Sequence, residues 1–241
     1  VPVEAHLEGG GSGGGGSAPP PPLVRPRPGW TLAQGRGVDR QPLRHAGNHL
    51  VVRDEHEGQA SGTRVRGMAT VVLVRHGRTT SNAAGVLAGR APGVDLDAVG
   101  VHQVETTRAA KAPASANAPP PPLTRSEGLS ECDYGAWQGR RLHDLVGEPL
   151  WSVVQTQASA AAFPEGESLR AMQHRAVEVI RSADADVAAQ CGPSAVWLAV
   201  SHGDVIKSVL ADALGTHLDH FQRISVDPAS VSIIRYTAAR P

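Results

Sequence analysis

Aromatic residues are scarce in this chain of 241 residues, at 3% of the sequence. Hydrophobic residues still make up 40%, so a buried core would have to consist of aliphatic side chains and alanine. An excess of charge of either sign is also lacking, because the formal net charge is zero. A neutral chain has no general electrostatic attraction for polyanions such as nucleic acid or anionic lipid. We therefore expect neither a nucleic-acid nor a membrane partner.

Cysteine and long apolar runs are equally sparse. The two cysteines, Cys132 and Cys191, have no metal-ligand spacing and form no disulfide framework. The longest apolar runs, such as residues 195–200, are far shorter than a membrane span. The N-terminus also lacks the basic-then-apolar order of a secretory signal. These features predict a soluble protein of the reducing cytoplasm.

The N-terminal quarter is rich in glycine and proline and has no apolar periodicity. It contains a Gly/Ser run at residues 9–17 and a proline run at residues 19–22. Such a composition cannot bury enough surface to offset chain entropy. We predict that residues 1–67 are a disordered, dispensable extension and that residues 68–241 form one domain. Three interpretations of this extension remain open. It could be a solvated tail, a basic tether, or residues that lie upstream of a natural start at Met68.

The remainder alternates between strand and helix patterns. The β-branched run at residues 70–74 predicts a strand buried on both faces, and residues 195–200 predict another. A long amphipathic helix is predicted to begin after Ser168, and residues 231–236 predict a last strand. This order indicates an α/β fold, a three-layer α/β/α sandwich around a mostly parallel sheet.

Two of the predicted strands end in a histidine followed by glycine, at His76 and His202. Ligands of parallel sheets bind at the carboxyl ends of the strands, where these imidazoles and Arg75 would form a cationic site suited to a phosphoryl group. Glu131, after another predicted strand, could act as general acid. The alternative is a zinc site formed by His76, His202 and Glu131, which the adjacent Arg75 disfavours.

Four ordered blocks closely resemble the histidine phosphatase superfamily, the phosphoglycerate-mutase-like enzymes. The first runs from Leu73 to Asn82 and contains Arg75-His76-Gly77. The other three are the acid-bearing segment at residues 129–139, the Pro-Glu-Gly-Glu-Ser turn at residues 164–168, and Val200-Ser201-His202-Gly203. The resemblance covers Met68 to the C-terminus and implies a phosphoglycerate-mutase-like fold.

The resemblance also implies a role for each matching residue. His76 would attack phosphorus and become a phosphohistidine, and Arg75 would bind the phosphoryl oxygens as a bidentate donor. A protonated His202 would add a second donor, and Asn82 and Thr79 would line the same pocket. Glu131 would protonate the leaving group, with Asp133 and Asp204 as the next candidates. No metal or cofactor is implied.

The implied activity is hydrolysis of a small phosphorylated metabolite through a phosphohistidine, by a monomer or homodimer. A phosphomutase of the phosphoglycerate mutase type is the alternative. A third reading, a weak or inactive phosphate-binding member, rests on a gap in the resemblance. Members of the superfamily carry a further strand and a second phosphate-binding arginine between the first helix and the acid segment.

That strand and arginine have no counterpart in this chain. Residues 101–104 resemble the end of the helix before the strand, and residues 105–109 resemble the helix after it, joined directly. His102 stands where the arginine is expected. We therefore predict a sheet that lacks one strand and a weakened site. The arginines that could substitute are Arg78, Arg90, Arg108 and Arg125.

Overall fold

Five strands form a single sheet in the computed structural model, which describes residues 49–53, 69–111 and 123–237. The strands are β1 (His49–Arg53), β2 (Thr70–Arg75), β3 (Leu123–Arg125), β4 (Val196–Ser201) and β5 (Val231–Arg235). Their spatial order is β3-β1-β4-β2-β5. The strands predicted at residues 70–74, 195–200 and 231–236 are confirmed to within about one residue at each end.

The sheet is mixed, so the expectation of a mostly parallel sheet is wrong. Only β2 and β4 pair in parallel, while β1 is antiparallel to both β3 and β4, and β5 is antiparallel to β2. The sequence could not reveal this, because a continuous apolar run is typical of a strand buried on both faces whatever its direction. The layering of helices on both faces of the sheet stays a prediction.

The largest departure from expectation is β1, which lies inside the extension predicted to be disordered. His49 to Arg53 pair with β4 on one side, and the first three of these residues pair with β3 on the other. The expectation of disorder is therefore wrong for this segment, whose Leu-Val-Val centre has strand propensity. The other residues of the extension lie outside the described ranges, as do residues 112–122.

Six α-helices are found in the described ranges. They are α1 (Thr80–Ala83), α2 (Ala98–Lys111), α3 (Leu142–Leu145), α4 (Pro149–Thr156), α5 (Leu169–Cys191) and α6 (Gly203–Ala213). The predicted cap of α5 is confirmed, since the Ser168 hydroxyl accepts a hydrogen bond from the Ala171 N–H at 3.1 Å. None of the described helices has the length and apolar character needed to cross a membrane.

Two helix starts have local causes. Helix α2 begins at Ala98, because the Asp97 carboxylate accepts the Gly100 N–H and caps its first turn. Residues 142–156 form two short helices, α3 and α4. Pro149, which is favoured in a first helical turn, starts the second of them.

Candidate active site

The parallel pairing of β2 and β4 places the two strand-end histidines side by side. Arg75 is aligned with Ser201, and the His76 N–H donates to the Ser201 carbonyl at 3.1 Å. The rings of His76 and His202 consequently lie with their centroids 5.0 Å apart and their planes inclined at 62°. The sequence expectation that these residues meet at one sheet edge agrees with this geometry.

One nitrogen of His76 is fixed by the backbone. Nδ1 lies 2.7 Å from the carbonyl oxygen of Gly77. A carbonyl oxygen only accepts, so Nδ1 carries the hydrogen and the neutral ring keeps its lone pair on Nε2. Burial lowers the pKa of His76 below its ordinary value, and the nearby Arg75 lowers it further. The imidazole is thus held in the nucleophilic form.

The pKa of His202 is lowered more strongly, to about 3, by burial and then by the neighbouring His76 and Arg75. The sequence-based expectation of a protonated His202 is therefore wrong for the free site. The physical reason is that a second buried positive charge beside Arg75 would have no solvation. A neutral His202 still carries one ring N–H.

Arg75 is oriented by the backbone and keeps one donor for a ligand. Its Nη1 donates to the Val226 carbonyl at 2.6 Å. Its Nε is buried and makes no hydrogen bond to a described residue. Gly203 permits this placement, because a Cβ there would lie 3.2 Å from the Arg75 guanidinium carbon. An unpartnered guanidinium N–H beside two imidazoles is what an anion-binding site requires.

Thr79 and Asn82 line the same cavity and cap α1 reciprocally. The Thr79 hydroxyl accepts the Asn82 N–H at 3.1 Å, and the Asn82 Oδ1 accepts the Thr79 N–H at 3.1 Å. Since the amide oxygen is used in the cap, the Asn82 Nδ2 is the group left to donate into the cavity.

Glu131 is a half-buried residue whose carboxyl group favours the protonated form at neutral pH. Burial and the Asp204 charge raise its pKa to about 8, against the lowering effect of the Cys132 N–H and of Arg75. Its Oε1 accepts the Cys132 N–H at 3.0 Å. A carboxylic acid that remains protonated near neutral pH is the state a general acid needs.

Of the two substitute acids, Asp204 lines the cavity and Asp133 does not. Asp204 accepts the Tyr134 hydroxyl at 2.8 Å and lies 3.4 Å from the Lys207 Nζ. Asp133 instead accepts the Gly135 N–H at 3.0 Å and so holds the loop after the acid.

The backbone around Glu131 is held by Arg175, a residue that the sequence analysis missed. Arg175 lies on α5 and donates to the carbonyls of Gly128, Ser130 and Glu131, at 2.8 to 3.1 Å. Its charge is balanced by Glu167, which also accepts the Asp133 N–H at 2.9 Å. The sequence offers one indication of this role. Arg175 is a charged residue one turn beyond Met172, on the largely buried side of an amphipathic helix.

Arg90 is the one candidate for the missing second arginine whose described side chain lines the cavity. Its Nε donates to the Glu131 carbonyl at 2.8 Å, and its Nη2 pairs with Glu167 at 3.0 Å. Arg78 instead pairs with Asp97 at 2.7 Å, and neither it nor Arg125 lines the cavity. The side chain of Arg108 lies outside the described part of the molecule.

His102 stands in the sequence where the missing arginine is expected, but it is not at the candidate site. It lies on α2, it is exposed, and it is not part of the cavity wall.

The geometry gives no support to the alternative zinc site. Within residues 69–111 and 123–237, no three His, Cys, Asp or Glu side chains are grouped as metal ligands require.

These groups share a cavity of about 460 Å³. The volume exceeds that of a phosphate group and leaves room for the alcohol to which the phosphate is attached. Aromatic side chains form part of the wall, namely Tyr134, Trp137, Trp151 and Phe163. Polar groups form another part, including the largely buried Lys207, whose Nζ donates to the Gln222 Oε1 at 3.0 Å.

Comparison with known proteins agrees with the resemblance in the sequence. The family model of the histidine phosphatase superfamily (branch 1) matches residues 106–241, more than half of the chain. That match begins beyond the Arg75-His76-Gly77 segment, which the structure nevertheless places in the same cavity as the matched residues Glu131 and His202. None of the curated proteins compared with the chain matches it.

Solved structures share the fold at low sequence identity. The alpha-ribazole phosphatase from Shigella flexneri is 22% identical, with 70% of this chain and 91% of that chain covered and a TM-score of 0.55. YhfR from Bacillus stearothermophilus is 21% identical, covering 71% and 93%, with a TM-score of 0.59. A mutant phosphoserine phosphatase from Entamoeba histolytica, in complex with phosphoserine, is 17% identical, covering 72% and 94%, with a TM-score of 0.59.

The lowered pKa values predict that His76 and His202 stay neutral in the free protein. In NMR spectra, the ring signals of His202 should not titrate between roughly pH 5 and 8, whereas the same signals in the urea-unfolded chain should titrate near about 6.5. Because the unfolded chain then binds more protons, the free energy of unfolding should fall as pH drops through about 6.5. A folded-state His202 signal that titrates in this interval would contradict the assignment.

Proposed function

Because the chain belongs to the histidine phosphatase superfamily, we propose that it hydrolyses a small phosphomonoester through a phosphohistidine on His76. The observation that carries this proposal is the buried Arg75 Nε, an unpartnered donor next to a neutral imidazole whose lone pair is on Nε2. A phosphoryl group is the ligand that uses both at once, as an acceptor for the guanidinium and an electrophile for the ring.

The first half of the reaction forms an N–P bond and breaks a P–O bond. The His76 Nε2 lone pair attacks phosphorus while the phosphoryl oxygens accept from Arg75, Asn82 and neutral His202. The electrons of the breaking P–O bond pass to the leaving oxygen. That oxygen takes the proton of the Glu131 carboxyl group, and the alcohol departs.

The second half reverses these roles with water. The Glu131 carboxylate accepts a proton from water as the water oxygen attacks phosphorus, and the N–P bond breaks with its electrons returning to Nε2. Phosphate leaves, and both His76 and Glu131 recover their starting protonation. The reaction needs no co-reactant other than water, and it begins from the protonation states that burial favours.

The leaving alcohol is proposed to lie against the polar part of the wall. Lys207, Gln222 and Asp204 offer donors and an acceptor in a cavity larger than phosphate needs. Phosphorylated metabolites with hydroxyl, amine or carboxyl groups fit this chemistry. A phosphomutase stays the alternative, although no described residue specifically favours retention of a phosphorylated intermediate.

The missing second arginine supports another candidate function, a weakly active or inactive phosphate-binding protein. How much the loss of this arginine weakens the site depends on whether Arg90 takes its place. Two arginines, Arg90 and Arg175, share the one carboxylate of Glu167, so this cluster keeps one excess positive charge beside Glu131. We propose that Arg90 supplies the second cation for the phosphoryl group.

Phosphorylation of His76 is the direct test of the mechanism. Brief incubation with a phosphate-labelled phosphomonoester, quenched in base, should give a label that is stable to base and labile to acid. His202→Ala should label more slowly but at the same residue, whereas His76→Ala should not label. Label surviving in His76→Ala would refute the assignment of the nucleophile.

Glu131 should matter most for substrates with poor leaving groups. An aryl phosphate leaves as a stabilised phenolate, while an alkyl phosphate needs the proton, so Glu131→Gln should lower kcat/KM for alkyl phosphates by about 10²–10³-fold and for p-nitrophenyl phosphate by under about tenfold. The exposed Glu165→Gln is the control from the neighbouring turn.

The pH profile gives an independent measure of the same group. With a folded pKa of about 8, the acid form is present below that pH, so wild-type kcat/KM for alkyl phosphates should fall as pH rises through it. Asp204→Asn should shift this fall to lower pH, because the Asp204 charge raises the pKa of Glu131.

The leaving-group comparison also has an outcome that contradicts the assignment. If Glu131→Gln lowers kcat/KM equally for alkyl and aryl phosphates, another residue is the acid.

The role of Arg90 separates the two candidate functions. If Arg90 is the second cation, Arg90→Gln should lower kcat/KM for p-nitrophenyl phosphate by about 10²-fold or more, and Arg90→Lys should restore only part of it. Arg78→Gln, outside the cavity, is the matched control. A wild-type kcat/KM far below about 10⁴ M⁻¹s⁻¹ that Arg90→Gln leaves unchanged would favour the weak phosphate-binding protein instead.

A further inference from the structure

Strand β1 is paired on both of its edges. All five residues from His49 to Arg53 are aligned with residues 196–200 of β4, and His49, Leu50 and Val51 are aligned with β3. It is therefore an internal strand of the sheet, although its sequence lies in a segment whose composition predicts disorder.

Strand β3 depends on β1 for its place in the sheet. In the observed order β3 is at the edge, and β1 is the described strand with which it pairs. Adjacent strands lie about 4.8 Å apart, so β3 and β4 are separated by about 10 Å and cannot hydrogen-bond directly. Removing β1 would leave the backbone groups of β4 and β3 that face it without partners.

The chain itself can supply this strand. Arg53 and Thr70 are both aligned with Val196, one on each side of β4. The end of β1 and the start of β2 are thus separated by one intervening strand, or about 10 Å. The connection through residues 54–69 has far more reach than this, since each extended residue spans up to about 3.5 Å.

We propose that the gap between β4 and β3 is a strand-acceptor site whose occupant is the chain's own His49–Arg53. The folded domain then includes part of the N-terminal extension and does not begin at Met68. The proposal concerns stability and is independent of the catalytic assignment. It also has a consequence for the site, because β3 leads within six residues to Glu131.

Hydrogen exchange on the unaltered full chain tests the proposal directly. Peptides that cover residues 49–53 should exchange as slowly as those of β4, and at least about 10²-fold more slowly than the same peptides in the urea-unfolded chain. Exchange of residues 49–53 at the rate of the unfolded chain would overturn the proposal. The measurement is repeated after a 50-fold dilution of the protein, to a concentration about 10-fold above the detection limit. Protection of residues 49–53 that is lost on dilution would mean that a second copy supplies the strand, and this result would also overturn the proposal.

A proline variant tests the contribution to stability. An internal strand does not tolerate proline, which removes a ladder hydrogen bond and fits only edges. Val51→Pro should therefore lower Tm by roughly 5–10 °C, whereas Val51→Thr, also β-branched, should stay within about 2 °C. Equal Tm values for the two variants would overturn the proposal. If Val51→Pro gives no soluble protein, the exchange experiment on the unaltered chain decides.

Discussion

The site depends on the parallel pairing of β2 with β4. This pairing aligns Arg75 with Ser201 and lets the His76 N–H donate to the Ser201 carbonyl. Each strand ends at that point, so the residues that follow leave the sheet together and face the same cavity. A slip of one residue in this register would turn Arg75 to the opposite face of the sheet and separate the two imidazoles. The buried alternation of Val71 and Leu73 on β2 opposes such a slip.

Burial is the largest cause of the shifted pKa values of three groups in the site. Desolvation disfavours charge, so it raises the pKa of the carboxyl group of Glu131 and lowers the pKa of the imidazoles of His76 and His202. A neutral nucleophile and a protonated acid are the pair with which phosphoryl transfer begins. With its ordinary pKa, the carboxyl group of Glu131 would be ionised at neutral pH and would have no proton to donate. The hydrophobic enclosure of the cavity is thus part of its chemistry.

The parts of the structure that sequence could predict are those that local patterns determine. The strands ending at Arg75 and Ser201 follow from continuous apolar runs, and the start of α5 follows from the Ser168 cap. The mixed sheet and the strand β1 were missed because strand direction and partners depend on contacts between distant segments, which composition does not encode. Arg175 was missed for the same reason. Its three carbonyl acceptors lie about 45 residues earlier in the chain.

The position of the charges around the cavity, and not their sum, explains why a phosphomonoester suits it better than a neutral ligand. Arg75, Arg90 and Lys207 line the cavity together with the acidic residues Glu127, Asp204 and Asp227, and Lys207 lies next to Asp204. The Arg75 Nε, in contrast, makes no hydrogen bond to a described residue, and burial favours neutral histidines beside it and a protonated Glu131. Loss of a proton from Glu131 would place a negative charge near Arg75, where a phosphoryl group would otherwise be its anionic partner. The pKa of this one carboxyl group therefore couples leaving-group protonation to the electrostatic attraction for the substrate.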